Sequence, residues 1–526
     1  MRTIGAMCKT KLGFGSRGRR GRGAVVLASA LALIAVGGCS DLLEVELPSA
    51  LTDDVLDDPT GAAVQVASVI ANIECGYSAF GWVRTLGAED VLESVAGRGG
   101  GHAIHGSQPD TGAECDFDGD SSNGNYYDQF QIARSLAWGT YERLENWTDQ
   151  DVPGSREELL ATTALYAGIA LEHFGTYYCE MTFDNGPLMT PSAVLGLAEQ
   201  WINTSLGHIG NAGDFAIDHG ASESARTMAT AIRARIRWHN GDLAGAAADA
   251  AQVPMGFTAW IVRDVGPQRR NKIYESGTQT GWGGMLGIND WWNETSGVTN
   301  RTNPVTGSPW PDPIPFTGYL FLGIMPDGRA VDDSGYAIRY AEEFRAAGAE
   351  PTLLNNGAVP DVRVQHFKKS IQGPEPREVP ARYSAEDDDI PLVDWEEIWL
   401  ILAEIEGGQQ AIDRVNAIRR HYNLPEVTYA DPGNAEQIRH LIIEERRRSF
   451  FAEGGRYWAT KILNTDILWF PRTQGVTPSQ GYDLDGGVRL TMPGDEYTLN
   501  PNITLNDRAT GCDPAQAPTQ DPGWSF

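Results

Sequence analysis

Apolar residues recur at intervals of three and four positions in several long stretches of the chain, and this spacing predicts amphipathic α-helices. In the stretch 126–147, for example, Phe130, Ala133, Ala137 and Leu144 fall on one helical face. The same pattern predicts helices over residues 59–74, 157–178, 191–209, 224–239, 243–253, 395–407 and 409–421. The expected fold class is therefore mainly α.

Two pairs of these predicted helices have the form of a tetratricopeptide repeat. The pair within 224–253 has a Gly-Asp turn at 240–242, small alanines facing its partner helix, and Pro254 as its end. A second pair of the same form occupies 395–421. We therefore expect a tetratricopeptide-like helical scaffold.

Residues 255–393 break the helical pattern, because Gly, Pro, Asn, Thr and Trp dominate there. The stretch is too long for a single loop in a compact domain. We interpret it as a large, irregular, loop-rich inserted subdomain with short strands at most, and 97–124 as a second irregular stretch rich in Gly and Asp. The predicted organisation is a leader over 1–38, helical regions over 39–254 and 394–526, and the insertion over 255–393.

Residues 434–461 mix charged and aromatic side chains more tightly than a surface helix requires. Asn434 is placed to cap the helix by accepting from the amide of Gln437, and the Gln437 side chain is expected to reach back in a capping box. Charged and aromatic residues then alternate: Glu445, Arg446, Phe450, Phe451, Glu453, Arg456, Tyr457 and Trp458. Structural ion-pair networks are commoner than active sites, so a salt-bridged structural helix is favoured over a catalytic one.

The first 38 residues have the pattern of a secretory signal. They contain seven Lys or Arg and no Asp or Glu, and an apolar run over 24–36 follows the basic part. That run is shorter than the roughly 20 residues of a membrane-spanning helix. The residues 36–39, Val-Gly-Gly-Cys, resemble a bacterial lipobox, so we expect a lipid anchor on Cys39, with two acyl chains and an N-acyl group such as palmitate. The alternative is an ordinary signal peptide with an incidental cysteine.

The charge balance narrows the choice of partners. The chain has 70 acidic and 41 basic residues, and loss of the leader would leave 34 basic residues and a net charge of −36. Such an acidic surface argues against nucleic acid and anionic lipid as partners. It suits neutral ligands, and the 15 Trp and 17 Tyr offer aromatic faces on which sugars or peptides can stack.

The remaining cysteines suggest disulfides rather than a metal site. An even number in an oxidising compartment predicts two bonds, with three possible pairings among Cys75, Cys115, Cys179 and Cys512. No cysteine or histidine spacing indicates zinc. The acidic stretch 116–120 hints at calcium, but its glycine is misplaced for a calcium loop. We expect neither metal nor cofactor.

Motifs in the C-terminal third resemble the SusD/RagB group of outer-membrane nutrient-binding lipoproteins. The segment 389–392 and the helix with Glu397, Ala403 and Glu404 look like the entry to a characteristic family helix. Further similar positions are Ala411, Asn416, Ile418, Arg419, Ile443, Glu445, Arg446, Phe451, Glu453, Gly454, Arg456, Tyr457, Met492, Pro493, Glu496 and Asn500 to Asn502. The chain departs from the family where Ser449 replaces a usual Glu and 459–460 replace a usual Asp-Leu. It therefore resembles a divergent member.

The resemblance implies a helical scaffold above a SusC-like TonB-dependent transporter in the outer membrane. Such a lipoprotein binds an oligosaccharide or peptide at the cell surface, delivers it to the barrel and does no chemistry. On this view the charged residues are structural and satisfy one another where helix pairs stack: Glu404, Glu445, Arg446, Glu453 and Arg456. Two rival functions remain open, an extracellular glycoside hydrolase and a repeat-type outer-membrane scaffold lipoprotein that binds only proteins.

Ligand contacts are expected in the irregular stretches, where aromatic residues have no helical stripe to fill. Flat aromatic faces beside Asp and Asn suit sugar rings and their hydroxyls. The candidates just after the first predicted helix are Tyr77, Phe80 and Trp82, and those in the insertion are Trp282, Asp290, Trp291, Trp292, Asn293 and Trp310. The alternative is that these tryptophans hold an irregular fold together.

Overall fold

The computed structural model divides the chain into two units, residues 1–56 and 57–526, and all elements described below lie in the second. The described residues are 56–80, 126–266, 382–464 and 492–507, apart from 425, 428, 429 and 454. Short segments add 92–94, 269–271, 273–274, 286–288, 319–320, 359–360, 363, 366–369, 377–380 and 489–490. Cys39 and the rest of the predicted leader lie outside them.

Helices dominate the described residues, as the apolar spacing predicts. A 3₁₀ turn, Pro59–Gly61, leads into the first helix. The helices are α1 Ala62–Phe80, α2 Tyr126–Asn146, α3 Arg156–Tyr177, α4 Pro191–Ala212, α5 Ala225–His239, α6 Leu243–Ala250, α7 Trp395–Glu406, α8 Gly408–His421, α9 Ala435–Ser449, α10 Arg456–Leu463 and α11 Gly494–Leu499. The expected mainly α fold is confirmed. The tetratricopeptide-like character of the hairpins α5–α6 and α7–α8 stays an interpretation.

Side-chain caps explain why several helices begin where they do. Ser155 accepts from the amide of Glu158 at the start of α3, and Ser224 accepts from Thr227 at the start of α5. Asp242 caps α6 in the same way after the Gly-Asp turn. Each cap satisfies an amide that lacks a partner within its own helix.

Helix α3 is the centre of the helical core, because every residue from Leu160 to Tyr177 is buried. Glycines on α3 allow α4 to approach closely. A Cβ atom at Gly168 would lie 2.5 Å from the Ile202 side chain, and one at Gly175 would lie 2.7 Å from the Leu195 side chain. The small residues of α3 are thus required by the helix beside it.

The segment 434–461 forms two helices, α9 and α10, rather than one. The chain turns between them at Ala452 and Gly455, which have φ angles of 58° and 105° in the left-handed region. The predicted capping box is also half wrong. Asn434 accepts from Gln437 as expected, but the Gln437 side chain accepts from the amide of Asp431 instead of Asn434.

The described strands are short, as expected for the insertion. They are β1 Leu92–Ser94, β2 Thr258–Ile261, β3 Leu286–Ile288, β4 Tyr319–Leu320, β5 Val359–Pro360, β6 His366–Lys369, β7 Arg377–Pro380 and β8 Ile390–Asp394. They pair antiparallel as β1–β3, β2–β8, β4–β5 and β6–β7. The β2–β8 pair joins the two ends of the insertion and has a bulge between Ala259 and Trp260.

Among the helices of the described ranges, none has the length and apolarity needed to span a membrane.

Candidate functional site: charged clusters in the helical core

Arg235 on α5 bridges the N-terminal and C-terminal helices through buried ion pairs. Its Nε and Nη2 atoms donate to the two carboxylate oxygens of Glu397 on α7, at 2.5 and 2.6 Å. Nη2 also donates to the carbonyl of Leu392 in β8. The Glu172 carboxylate of α3 lies 3.8 Å from Nη1. Because these residues are far apart in sequence, the guanidinium group fixes the stacking of α3, α5 and α7.

Arg456 extends this arrangement to the start of α10. It donates to both oxygens of Asp394, at 2.8 and 2.7 Å, and to Glu397 at 3.1 Å. Glu453, in the turn between α9 and α10, accepts from Arg456 and from Arg382. Burial opposes ionisation of Asp394, but Arg456 outweighs it and lowers the pKa of that carboxyl. We call these residues the central cluster: Glu172, Arg235, Arg382, Asp394, Glu397, Glu453 and Arg456.

Glu172 is the acid that the central cluster neutralises least. The cluster has four carboxylates and three guanidinium groups, and Glu172 makes its shortest contact with a neutral group, the Thr176 hydroxyl at 3.1 Å. Its Oε2 atom is buried without a hydrogen-bond donor. Burial raises the pKa of Glu172, and Arg235 offsets that effect only in part. A buried carboxyl of this kind favours the protonated form.

A second cluster, which we call the Glu445 cluster, joins α8 and α9. Glu445 is fully buried; it accepts from Arg363 at 2.8 Å and from Nε of Arg419 at 2.7 Å. Burial opposes ionisation of Glu445, but Arg419 and Arg363 together lower its pKa. Two positive charges on one carboxylate keep it ionised inside the protein.

Arg446 uses its guanidinium group differently from its neighbour in sequence. It contacts Glu404 at 2.5 Å, donates to the carbonyl of Leu400, and stacks over the Trp238 ring at 4.3 Å. The contact therefore joins α9 to α7 and α5. Partial exposure of Glu404 distinguishes this pair from the buried clusters.

Of the residues predicted to satisfy one another, the structure pairs Glu404 with Arg446 and Glu453 with Arg456. Glu445 instead binds arginines outside the segment 434–461. Sequence reasoning missed several partners: Glu172, Arg235, Arg363, Arg382, Asp394, Glu397 and Arg419. Of these, Glu397 and Arg419 stood among the positions that resemble the family motifs, but nothing local indicated which charges they bind.

Tyr77 is the one predicted ligand residue whose side chain the structure describes. Its ring packs edge-on against Phe130 at 5.2 Å and against His173 at 5.7 Å, and burial raises the pKa of its hydroxyl. The Glu172 and Arg235 charges act on that hydroxyl. Tyr77 thus lies between the aromatic core and the central cluster.

The other predicted ligand positions fall largely outside the described residues. Phe80 is the last residue of α1, and its side chain is not described. The positions outside the described ranges are Trp82, Trp282, Asp290, Trp291, Trp292, Asn293 and Trp310. Their contact with a ligand stays a prediction.

Cysteines of the described ranges are oxidised. Cys75 on α1 and Cys179 just after α3 each take part in a disulfide bond. Cys115, Cys512 and the acidic stretch 116–120 lie outside the described residues. Within the part of the chain that the structure describes, no group of three or more His, Cys, Asp or Glu could hold a metal ion.

Residues 397–460 match the model of the SusD family. This stretch of the chain is similar to the SusD family. The match begins at Glu397 and includes Glu445, Glu453 and Arg456, so it covers part of each charged cluster just described. The family resemblance expected from the C-terminal motifs is confirmed. In this chain, charged residues of the matched stretch form ion pairs that join helices α5, α7, α8 and α9.

Solved structures extend the similarity over most of the chain. A proposed sugar binding protein from Bacteroides vulgatus ATCC 8482 shares 13% identity; the alignment covers 84% of this chain and 97% of that one, with a TM-score of 0.51. A SusD superfamily protein from the same organism shares 15% identity; the alignment covers 84% of this chain and 97% of that one, with a TM-score of 0.48.

A third structure has a named ligand. Surface glycan-binding protein A from Bacteroides thetaiotaomicron, in complex with laminarihexaose, shares 11% identity over 82% of this chain and 97% of that one, with a TM-score of 0.49. At such low identity, the likeness to the first Bacteroides vulgatus structure shows a shared fold. No curated protein matches the sequence.

Proposed function

We propose that this SusD-family protein binds nutrient oligosaccharides at the cell surface and delivers them to a SusC-like TonB-dependent transporter. The match of residues 397–460 to the SusD family carries the proposal. One of the similar structures is a surface glycan-binding protein in complex with laminarihexaose. The acidic, tryptophan-rich composition supports a neutral ligand with hydroxyl groups, and a peptide is the alternative ligand.

The lipobox-like residues 36–39 support a surface location in the outer membrane. An acylated Cys39 would anchor the protein, since each buried methylene contributes about 0.8 kcal/mol to membrane binding. Cys39→Ser should release the protein from the outer-membrane fraction. Retention of that variant in the membrane would contradict the proposed anchor.

The carboxylates of the buried clusters do not favour the rival hydrolase. A glycoside hydrolase uses two carboxylates about 5–10 Å apart that reach the substrate. Asp394, Glu397, Glu445 and Glu453 are instead buried and bound by arginines. Their positions support a binding protein whose charges are structural.

A combined glycan and peptide array, probed with the purified protein, tests the ligand class. We expect binding of one family of oligosaccharides and release of no reducing ends. Co-purification from outer membranes tests the partner and should recover a β-barrel transporter of the TonB-dependent class. Binding of proteins without glycans or peptides would favour the scaffold alternative.

A further inference from the structure

A charged cluster lies where the two ends of the insertion meet the end of α1. We call it the junction cluster, and its members are Glu74, Arg263, Arg269, Asn271 and Asp389. Glu74 lies near the end of α1, two turns before the stretch that follows Phe80. The arginines follow β2, and Asp389 directly precedes β8. The cluster therefore joins the end of α1 to both ends of the insertion.

Glu74 is the hub of the junction cluster. Its buried carboxylate accepts from Arg269 at 2.7 Å and from the amide of Val262 at 3.2 Å. Its carbonyl oxygen accepts from Nη2 of Arg263 at 3.1 Å. These contacts span almost 200 residues of sequence. One side chain of α1 thus holds the segment that follows β2.

The segment that follows β2 is also bonded to the residues that precede β8. The amide of Arg263 donates to Asp389 at 2.6 Å, and the side-chain amide of Asn271 donates to the carbonyl of Asp388 at 2.9 Å. The amide of Asn271 donates to the carbonyl of Glu386 at 2.7 Å. The beginning and end of the insertion are consequently fixed to each other and to α1.

Arg263 shows that this arrangement is not optimised for stability alone. Its side chain is fully buried, yet Nε and Nη1 have no hydrogen-bond acceptor. Burial lowers the pKa of Arg263 to about 10, so the group stays charged at neutral pH. Buried donors without acceptors are destabilising. Such costs are retained mainly where the position of a segment matters to function.

We propose that Glu74 is a positioning residue for ligand binding, because it holds the beginning of the insertion, which is itself bonded to the end of the insertion, against α1. The inference rests on the proposed function, since six of the predicted ligand residues, from Trp282 to Trp310, belong to the insertion. Tyr77 lies one turn after Glu74 on the same helix. A shift of the junction would therefore change the relation of Tyr77 to the insertion.

The test compares Glu74→Gln with a matched control, Asp249→Asn, in the full-length protein. Asp249 is equally buried and is bound by Arg233 at 2.7 Å and Arg237 at 2.9 Å, within the helical hairpin α5–α6. Each variant thus removes the negative charge of one buried carboxylate that interacts with two arginines. Only Glu74 contacts the junction. Hydrogen exchange of 262–266, 384–389 and 225–250 gives a readout that needs no ligand.

In Glu74→Gln we expect exchange at 262–266 and 384–389 to rise by about tenfold or more, with little change at 225–250. Asp249→Asn should show the reverse. A second variant, Arg269→Gln, removes only the half-buried partner and should give a smaller change at the same segments. Unchanged exchange at the junction in both junction variants, or an equal rise everywhere, would overturn the inference.

Affinity for laminarihexaose, maltohexaose and cellohexaose gives the second readout, measured at a temperature where each variant is folded. For any hexaose that the wild type binds, Glu74→Gln should raise Kd about tenfold or more, and Asp249→Asn should leave it within about twofold. Equal losses in both variants would contradict positioning. If the wild type binds none of the three, the proposed function loses its support, while hydrogen exchange still decides whether Glu74 holds the junction.

Discussion

Replacing Glu445 by glutamine removes the one negative charge between two buried arginines. Arg363 is fully buried and Arg419 almost so, and both donate to this carboxylate. Breaking a buried pair by removing one partner costs about 3–5 kcal/mol, because the remaining charge has lost its compensation. Glu445→Gln should therefore lower the free energy of unfolding by about that amount. The isosteric amide keeps the packing, so the loss reports the charge.

An exposed pair of the same chemistry provides the control. Glu426 is paired with Arg420, and their side chains are 49% and 57% exposed. Exposed pairs contribute about 0–1 kcal/mol, so Glu426→Gln should change stability by no more than that. Urea denaturation followed by tryptophan fluorescence measures both values. With a slope of about 3 kcal/mol per molar urea, Glu445→Gln should shift the midpoint by about 1–1.7 M.

The pH dependence of the same measurement checks the electrostatic origin. The pKa of Glu445 is lowered in the folded state, so its stabilisation is present above the ordinary glutamate pKa of 4.5. This stabilisation is lost as the pH falls through the folded-state value. The wild type and Glu445→Gln should therefore converge in acid. Equal, small effects of Glu445→Gln and Glu426→Gln at pH 7 would refute the structural role of the Glu445 cluster.

Three further predictions address other parts of the scaffold. Glu172→Gln should stabilise the protein at pH 7 by on the order of 1 kcal/mol, since the raised pKa of Glu172 makes its ionisation in the folded state unfavourable. The gain should grow as the pH rises above 4.5. A loss of stability in urea titrations would contradict this sign. Gly175→Ala should destabilise the protein by about 1–3 kcal/mol, because the added methyl group would clash with α4. Gly196→Ala, whose added methyl group meets no atom within 4 Å, should stabilise the protein by about 0.5–1 kcal/mol. Calorimetric melting temperatures that shift in the same direction in both variants would argue against close packing of α3. Reduction of the bonds at Cys75 and Cys179 should cost about 2–5 kcal/mol, and a melting temperature insensitive to dithiothreitol would show that they contribute little.

Helical spacing allowed most helices of the scaffold to be predicted. The predicted stretch 126–147 differs from α2 by one residue at its end, and Ser224 and Asp242 cap helices where the sequence placed their starts. These signals are local, so a single sequence contains them. The turn at Ala452 was missed because a left-handed alanine has no sequence signature.

Long-range partners could not be read in the same way. The pattern of α5 shows that Arg235 lies on a helix, but nothing local indicates that it binds Glu397, which is 162 residues away. Pairing of this kind is decided by how helices stack. Likewise, Tyr77 stood among the predicted ligand residues, and only the fold shows that its ring packs against Phe130 and His173.

The central claim, that the protein binds oligosaccharides, is tested most directly by calorimetry. The purified wild type is compared with a double variant that carries Trp291→Ala and Trp292→Ala. We expect the wild type to bind a glycan identified on the array, and the double variant to lose that binding while its melting temperature stays unchanged. Trp201→Ala, a change on helix α4 of the scaffold, should leave glycan affinity intact. Absence of glycan and peptide binding by the wild type, or hydrolysis of the glycan, would contradict the account.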